Sequence, residues 1–277
     1  MNNRSIGVFD SGVGGLSVLA HIHRLLPCEQ LIYVADTAYM PYGCKPPEQV
    51  LGRCLDTARF FEEQQVKALV VACNTATAVA IEILRQNSAM PVIGMEPGIK
   101  PAALASRSGV VGVLATTATL GSGKFNGLKS QFDRHTKILV QPCPGLVEQV
   151  EQGRLGDAQT GAMLERYLQP LLARGIDTLV LGCTHYPFLM TLIQQIVGDT
   201  VHVIDTGAPI ARQLQRQMEM RGLLLSEGTG STEFWSTGDC ALVEPVMAQL
   251  WQAPIRLHYL AGSVHRTGKQ RLSNQGL

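Results

Sequence analysis

Val70-Val-Ala-Cys-Asn-Thr75 and Val180-Leu-Gly-Cys-Thr-His185 are two apolar runs of strand type, each ending on a cysteine followed by small hydroxyl or amide residues. An amphipathic helical segment follows each, spanning 76–85 in the first case and 187–197 in the second. In open α/β folds, reactive groups collect where a parallel strand ends and the next helix begins. Helix N–H groups and the helix dipole there favour an anion, either a thiolate or a bound carboxylate. Two such thiols, one in each half of the chain, point to chemistry with two matching actors.

Outward from these stretches, strand and helix patterns alternate. Strands are expected at Ser5–Phe9, Leu31–Ala35, Ala68–Ala72 and Pro91–Met95, with a Gly-rich turn at Asp10-Ser-Gly-Val-Gly-Gly15 and a proline-punctuated loop over 36–47. In the second half, strands are expected at Val110–Ala115, Lys137–Gln141, Asp177–Gly182 and Thr200–Ile204, with Thr116–Thr119 as a polar turn. Two further strands, Thr232–Ser236 and Ile255–Leu260, follow helices over 210–221 and 240–252. Such alternation predicts parallel, doubly wound sheets. The residues from Arg256 to Arg271 are mildly basic, lack an aromatic platform and read as a solvated tail.

The halves read as copies. Gly7 corresponds to Gly112, Cys73 to Cys183 and Val92 to Val203, offsets of 105, 110 and 111 residues in the same order. The expected fold is therefore two pseudo-symmetric doubly wound parallel-sheet domains with the active site in the cleft between them. The crossings fall at Glu96-Pro-Gly98 and Asp205-Thr-Gly-Ala-Pro209, which gives one domain over 1–97 plus 208–277 and a second over 98–207.

Composition narrows the class of function. A length of 277 residues suits one large domain or two ordinary ones, and 45% hydrophobic against 16% charged content suits a well-packed soluble protein. The formal net charge of +1 gives no reason to expect nucleic acid or a membrane surface as partner. No stretch approaches the roughly 18 apolar residues of a membrane span. Met1–Asp10 lacks the apolar core and cleavage site of a secretory signal. Seven cysteines, an odd count without a C-x-x-C pair, fit reduced thiols in the cytoplasm.

His185 follows a thiol by two residues at a helix start, where it can exchange a proton with cysteine or substrate. Asp10 stands in the corresponding part of the first half, although it could equally cap the next helix. Glu151 is a weaker candidate because Glu148 lies one turn away and either could simply be solvated. Cys183-Thr-His185 does not complete a four-ligand zinc set, and no lysine motif for pyridoxal phosphate or G-x-G-x-x-G dinucleotide signature is present. No cofactor and no metal are expected. A carboxylate- or nucleotide-binding module built on the Asp10–Gly15 turn is the alternative of a different class.

Val8-Phe-Asp-Ser-Gly-Val-Gly-Gly-Leu16, Asp36-Thr37, Pro41-Tyr-Gly43, Ala72-Cys-Asn-Thr75, Gly182-Cys-Thr-His185 and Asp205-Thr-Gly207 together resemble the glutamate racemases of the cofactor-independent aspartate/glutamate racemase family. The match runs in order from Ile6 to about Gln215. Cys-Asn-Thr and Gly-Cys-Thr-His are shared with aspartate and hydantoin racemases, whereas the Asp-Ser-Gly-Val-Gly-Gly turn with Pro-Tyr-Gly is more specific. Tyr39-Met40 and Cys44-Lys45 depart from the usual family pattern. The amino-terminal extension that some members carry, linked to activation by a cell-wall precursor, has no counterpart here.

The resemblance implies that Cys73 and Cys183 are the acid/base pair on opposite faces of the substrate α-carbon, interconverting L- and D-glutamate and supplying D-glutamate for peptidoglycan. It implies that Asp10 assists Cys73, and that His185 and Glu151 assist Cys183. Ser11, Pro41, Tyr42, Gly43, Asn74, Thr75, Thr184 and His185 would hold the amino acid, with Asp10, Thr116 and Thr119 as further candidates. The implied partner is the small-molecule substrate alone, and a homodimer is left open. Inversion by proton transfer needs a base on one face and an acid on the other, so one thiol and one thiolate form a coupled pair. A free thiol near about 8.5, brought down by helix N–H groups and a cationic neighbour, is a usable base.

Overall fold

Strand β1 (Ile6–Asp10) is buried at every position, the pattern of a parallel strand covered on both faces. The computed structural model describes residues 3–132 and 136–261, so the tail expected beyond residue 261 lies outside the described residues. After β1 come α1 (Leu16–Leu25), β2 (Leu31–Ala35), a loop with two short 3-10 turns, α2 (Pro47–Glu63), β3 (Ala68–Val71), α3 (Asn74–Asn87) and β4 (Val92–Gly94). The middle of the chain adds α4 (Ile99–Ala105), β5 (Val110–Ala115), α5 (Thr117–Gly121), α6 (Gly123–Phe132), β6 (Lys137–Pro142), α7 (Leu146–Glu151) and α8 (Ala158–Leu172). Then follow β7 (Thr178–Gly182), α9 (Met190–Val197), β8 (His202–Ile204), α10 (Gly207–Glu219), β9 (Thr232–Ser236), α11 (Cys240–Trp251) and β10 (Leu257–Tyr259).

Two sheets result, and every strand pair in them is parallel. The first has the order β10-β9-β2-β1-β3-β4 and the second β6-β5-β7-β8. The run β2-β1-β3-β4 has the same connectivity as β6-β5-β7-β8, which is the internal repeat expected from the offsets. Strands β9 and β10 extend the first sheet only.

Local chemistry explains most element boundaries. Pro47 occupies the start of α2, where its missing N–H removes no helical bond. Asp157 and Asp239 cap α8 and α11 by accepting the N–H of Thr160 and Ala241. At the amino-terminal end of the first sheet, the Lys67 ammonium sits 2.6 Å from Glu29, both side chains being 1% exposed or less. Lys67 also donates to the Leu223 carbonyl, and Glu29 accepts the Leu225 N–H, so the pair anchors the connection between α10 and β9.

Some boundaries differ from the sequence expectation. Ile99–Ala105 is helical although the Pro-rich crossing gave no helical signal. Thr117–Gly121 is a short helix capped by the Thr116 hydroxyl, where a polar turn was expected, because the threonine supplies the cap itself. The segment after Cys183 begins as a 3-10 turn over Tyr186–Leu189 and becomes α9 only at Met190. Among the described residues, no helix is long and apolar enough to cross a membrane.

Candidate active site

The chain leaves β1 for β2 on one side and returns to β3 on the other, and it treats β5, β6 and β7 in the same way. A crevice opens above the carboxyl ends of strands at such a switch point, and open α/β sheets bind their ligands there. Here both switch points face one cavity. The first sheet lines it with Ser11, Cys73, Asn74 and Thr75, and the loop after β2 adds Pro41, Tyr42 and Gly43. From the second sheet come Thr116, Val147, Cys183, Thr184 and His185. Its volume is about 20 Å³, room for roughly one water molecule. The site is closed.

Cys73 follows β3 and caps α3, its Sγ accepting the Ala76 N–H at 3.4 Å and standing 3.6 Å from Ser11 Oγ. Burial nevertheless pushes the Cys73 thiol well above its ordinary pKa, and the charge of Asp10 adds to the effect. The helix N–H and the serine hydroxyl oppose this but do not prevail. The expectation of a thiol brought down by the helix terminus is thus corrected for Cys73, where desolvation wins.

Asp10 ends β1 fully buried, with Oδ2 accepting the Gly15 N–H at 2.9 Å. Burial raises its pKa, and His185 acts in the opposite direction. The Thr184 hydroxyl reaches Asp10 Oδ1 at 3.4 Å, which links the two halves.

On the other side, Cys183 Sγ lies 3.7 Å from His185 Nδ1, and His185 Nε2 lies 2.7 Å from Glu151 Oε1. Burial pulls the imidazole down, but its bonds to Cys183 and Glu151 outweigh that and hold its pKa well above the usual value. Glu151, at the end of α7, also accepts the Val13 N–H at 2.8 Å. The turn between Asp10 and Leu16 must therefore pass close to both side chains. A Cβ on Gly12 would lie 1.8 Å from Glu151 Oε1, and one on Gly14 would lie 2.3 Å from His185 Nδ1. That close approach explains the glycines of the turn.

Thr75, Thr116 and Thr119 form a triangle of hydroxyls, with Thr116 Oγ1 3.0 Å from Thr75 and 2.9 Å from Thr119. Asn74 Nδ2 is buried without a hydrogen-bond partner among the described residues. The Tyr42 hydroxyl donates to Asp36 Oδ2 at 2.5 Å, and Tyr42 also lines the cavity.

All of the expected site residues thus gather around the cavity, Asp10, Glu151 and Thr119 from behind its walls. Sequence reasoning missed Tyr33, whose buried hydroxyl donates to the Gly12 carbonyl at 2.7 Å. A tyrosine inside an apolar strand needs such a partner, and that signal was available. Ser17 was also missed. Its hydroxyl lies 2.9 Å from the Thr184 carbonyl and holds the Cys183–His185 segment against α1. Val147 lines the cavity from α7, where its apolar character resembles ordinary core.

Known proteins are similar to this chain in sequence and fold. The Asp/Glu/hydantoin racemase family model matches residues 6–214. The chain is 52% identical to the glutamate racemase of Pseudomonas putida (strain W619) over 262 residues, covering 94% of this chain and 96% of the relative. It is similar in structure to a glutamate racemase isoform from Bacillus anthracis, with a TM-score of 0.86, 34% identity, and coverage of 94% of this chain and 98% of that one. It also resembles the Francisella tularensis glutamate racemase solved in complex with D-glutamate, with a TM-score of 0.84, 30% identity, and coverage of 95% and 99%. Identity at this level across nearly the whole of both chains, on the same pair of sheets, makes this chain a member of the Asp/Glu/hydantoin racemase family, in its glutamate racemase branch.

Proposed function

We propose that this racemase interconverts L- and D-glutamate by two-base proton transfer between Cys73 and Cys183. One observation carries the reading: two thiols at equivalent strand ends of a repeated fold, 5% and 7% exposed, line the same cavity from opposite sheets. Glutamate as substrate is supported by the relatives, one of which was solved with D-glutamate.

One thiolate removes the α-hydrogen while the opposite thiol delivers a proton to the other face, so the two cysteines exchange roles in each turnover. By family resemblance, Cys73 takes the D-glutamate proton and Cys183 the L-glutamate proton. The raised pKa of His185 supports an imidazolium beside Cys183 that stabilises its thiolate, with Glu151 holding the ring. Asp10 is assigned the matching role beside Cys73, and an incoming substrate ammonium favours the Cys73 thiolate. Asn74 Nδ2, Ser11, the Pro41–Gly43 loop and the hydroxyls of Thr75, Thr116, Thr119 and Thr184 are the proposed holders of the two carboxylates. Donors fixed at the α-carboxylate would also stabilise the developing carbanion.

The two sheets support a division into 1–97 plus 208–277 and 98–207. The seven free cysteines support a reducing, cytoplasmic setting, in which the D-glutamate produced enters peptidoglycan synthesis. The substrate is the partner we assign, with no nucleic acid or membrane, and a homodimer is the assembly to look for by light scattering. The test is racemisation of each enantiomer, followed by circular dichroism, in wild type, Cys73→Ala and Cys183→Ala. We expect activity in the wild type alone. Racemisation by either variant overturns the two-thiol assignment.

A further inference from the structure

Asp36 follows β2 and is fully buried, yet it accepts four hydrogen bonds. Arg53, on α2, grips it bidentately with one edge of the guanidinium, Nε to Oδ2 and Nη2 to Oδ1, each at 2.9 Å. The Thr237 hydroxyl donates to Oδ1 at 2.7 Å, and the Tyr42 hydroxyl to Oδ2. The remaining edge of Arg53 meets Asp56 at 3.1 Å, and the plane of the guanidinium lies 3.9 Å from the centre of the Tyr39 ring.

These contacts bracket one segment. Tyr39 and Tyr42 lie on the loop whose residues Pro41, Tyr42 and Gly43 line the cavity. That loop has no strand or α-helix to fix it, only 3-10 turns over Thr37–Tyr39 and Tyr42–Cys44. The N–H groups of Tyr42 and Gly43 lie in the first positions of the second turn, where a helical turn leaves its own N–H groups without an internal partner. Their position depends on what holds the two tyrosine side chains. A fork of fixed geometry suits that task better than a flexible ammonium.

We propose that Arg53 is a positioning residue for substrate binding: through the Asp36 carboxylate and the Tyr42 hydroxyl it sets the Tyr42–Gly43 backbone donors against the cavity, where they meet a substrate carboxylate. The inference rests on the racemase reading of that cavity. Arg53 itself touches no reacting atom, so its loss acts on binding rather than on the chemical step.

The test compares Tyr42→Phe, Arg53→Lys and the double variant, with Asp56→Asn as control, by KM and kcat for glutamate in both directions. Loss of one charge-assisted hydrogen bond corresponds to a rise in KM of about tenfold. We expect that rise in each single variant, with kcat within about threefold of wild type. Both changes act through one carboxylate, so the double variant should rise no further than the larger single. Asp56→Asn should leave KM unchanged. Should Arg53→Lys fail to fold, Thr237→Val takes its place with the same expectations. An unchanged KM in Tyr42→Phe, multiplied effects in the double variant, or a matching rise in Asp56→Asn overturns the proposal. A wild type that does not racemise glutamate overturns the racemase reading instead, so the two failures are distinguishable.

Discussion

Nε2 of His185 lies 2.7 Å from Oε1 of Glu151, and that oxygen also accepts the Val13 N–H at 2.8 Å. One carboxylate therefore joins the end of α7, the segment after β7 and the turn after β1. It orients the imidazole whose other nitrogen faces Cys183. Glu151→Gln removes the negative charge while keeping the shape, so the His185 pKa should fall from its raised position toward the ordinary value. The sign for stability follows: a raised histidine pKa contributes stability that is fully present below the unfolded value of about 6.5 and is lost as pH rises through the folded value. Wild type minus variant stability, from urea unfolding, should accordingly be largest at the acid side of this window and shrink as pH rises. Turnover should fall by about 10²-fold, the scale of a lost general acid–base contribution. A variant with unchanged turnover and an unchanged His185 titration by NMR contradicts the assignment.

Gly14→Ala should disable catalysis more than it unfolds the protein, because the added methyl meets the His185 ring rather than backbone. A displacement near 1 Å corresponds to roughly a 10²-fold loss of rate. The comparison is Gly52→Ala, which meets nothing within 4 Å in α2 and should keep full activity. Equal activity in the two variants would remove the turn from the site.

Burial holds the Cys73 thiol well above its ordinary pKa, so alkylation of the substrate-free enzyme should be slow at neutral pH and still rising at about pH 10. Cys44 is exposed and reacts readily, so the experiment uses a Cys44→Ser background and reads the Cys73 peptide by mass spectrometry. Glutamate should protect Cys73. A rate that levels off below about pH 8 would show a depressed thiol instead.

Lys67→Met leaves the Glu29 carboxylate buried without its cation. Breaking such a pair from one side destabilises by about 3–5 kcal/mol, measurable as a shifted urea midpoint with little change in the slope. The pair lies at the amino-terminal end of the sheet, opposite the cavity at the carboxyl ends of the strands, so KM for glutamate should be unchanged in the folded variant.

The parallel sheets were legible because buried parallel strands read as short continuous apolar runs, as in Ala68–Val71 and Thr178–Gly182. Cys73 and Cys183 were legible because both end such runs at matching offsets. Glu151 could not be separated from Glu148 by spacing, since only the fold shows which of them faces His185. Ile99–Ala105 was missed because Pro101 and its short length erase helical periodicity. Arg53 was hidden for a different reason: on α2 it reads as an ordinary solvated helix charge, and its partner Asp36 lies 17 residues earlier in an irregular loop. The upward shift of the Cys73 thiol depends on the depth of burial, which the sequence of a helix cap does not carry.

The central claim is that two thiols act on opposite faces of one α-carbon. Racemisation of one glutamate enantiomer in heavy water, stopped early, tests it most directly by mass spectrometry of the separated enantiomers. The delivering thiol has exchanged with solvent, so the product should carry deuterium at the α-carbon, while recovered substrate should carry little because the abstracting thiol returns protium. Product that retains most of the substrate's original hydrogen would mean that a single base serves both faces, and would contradict the account.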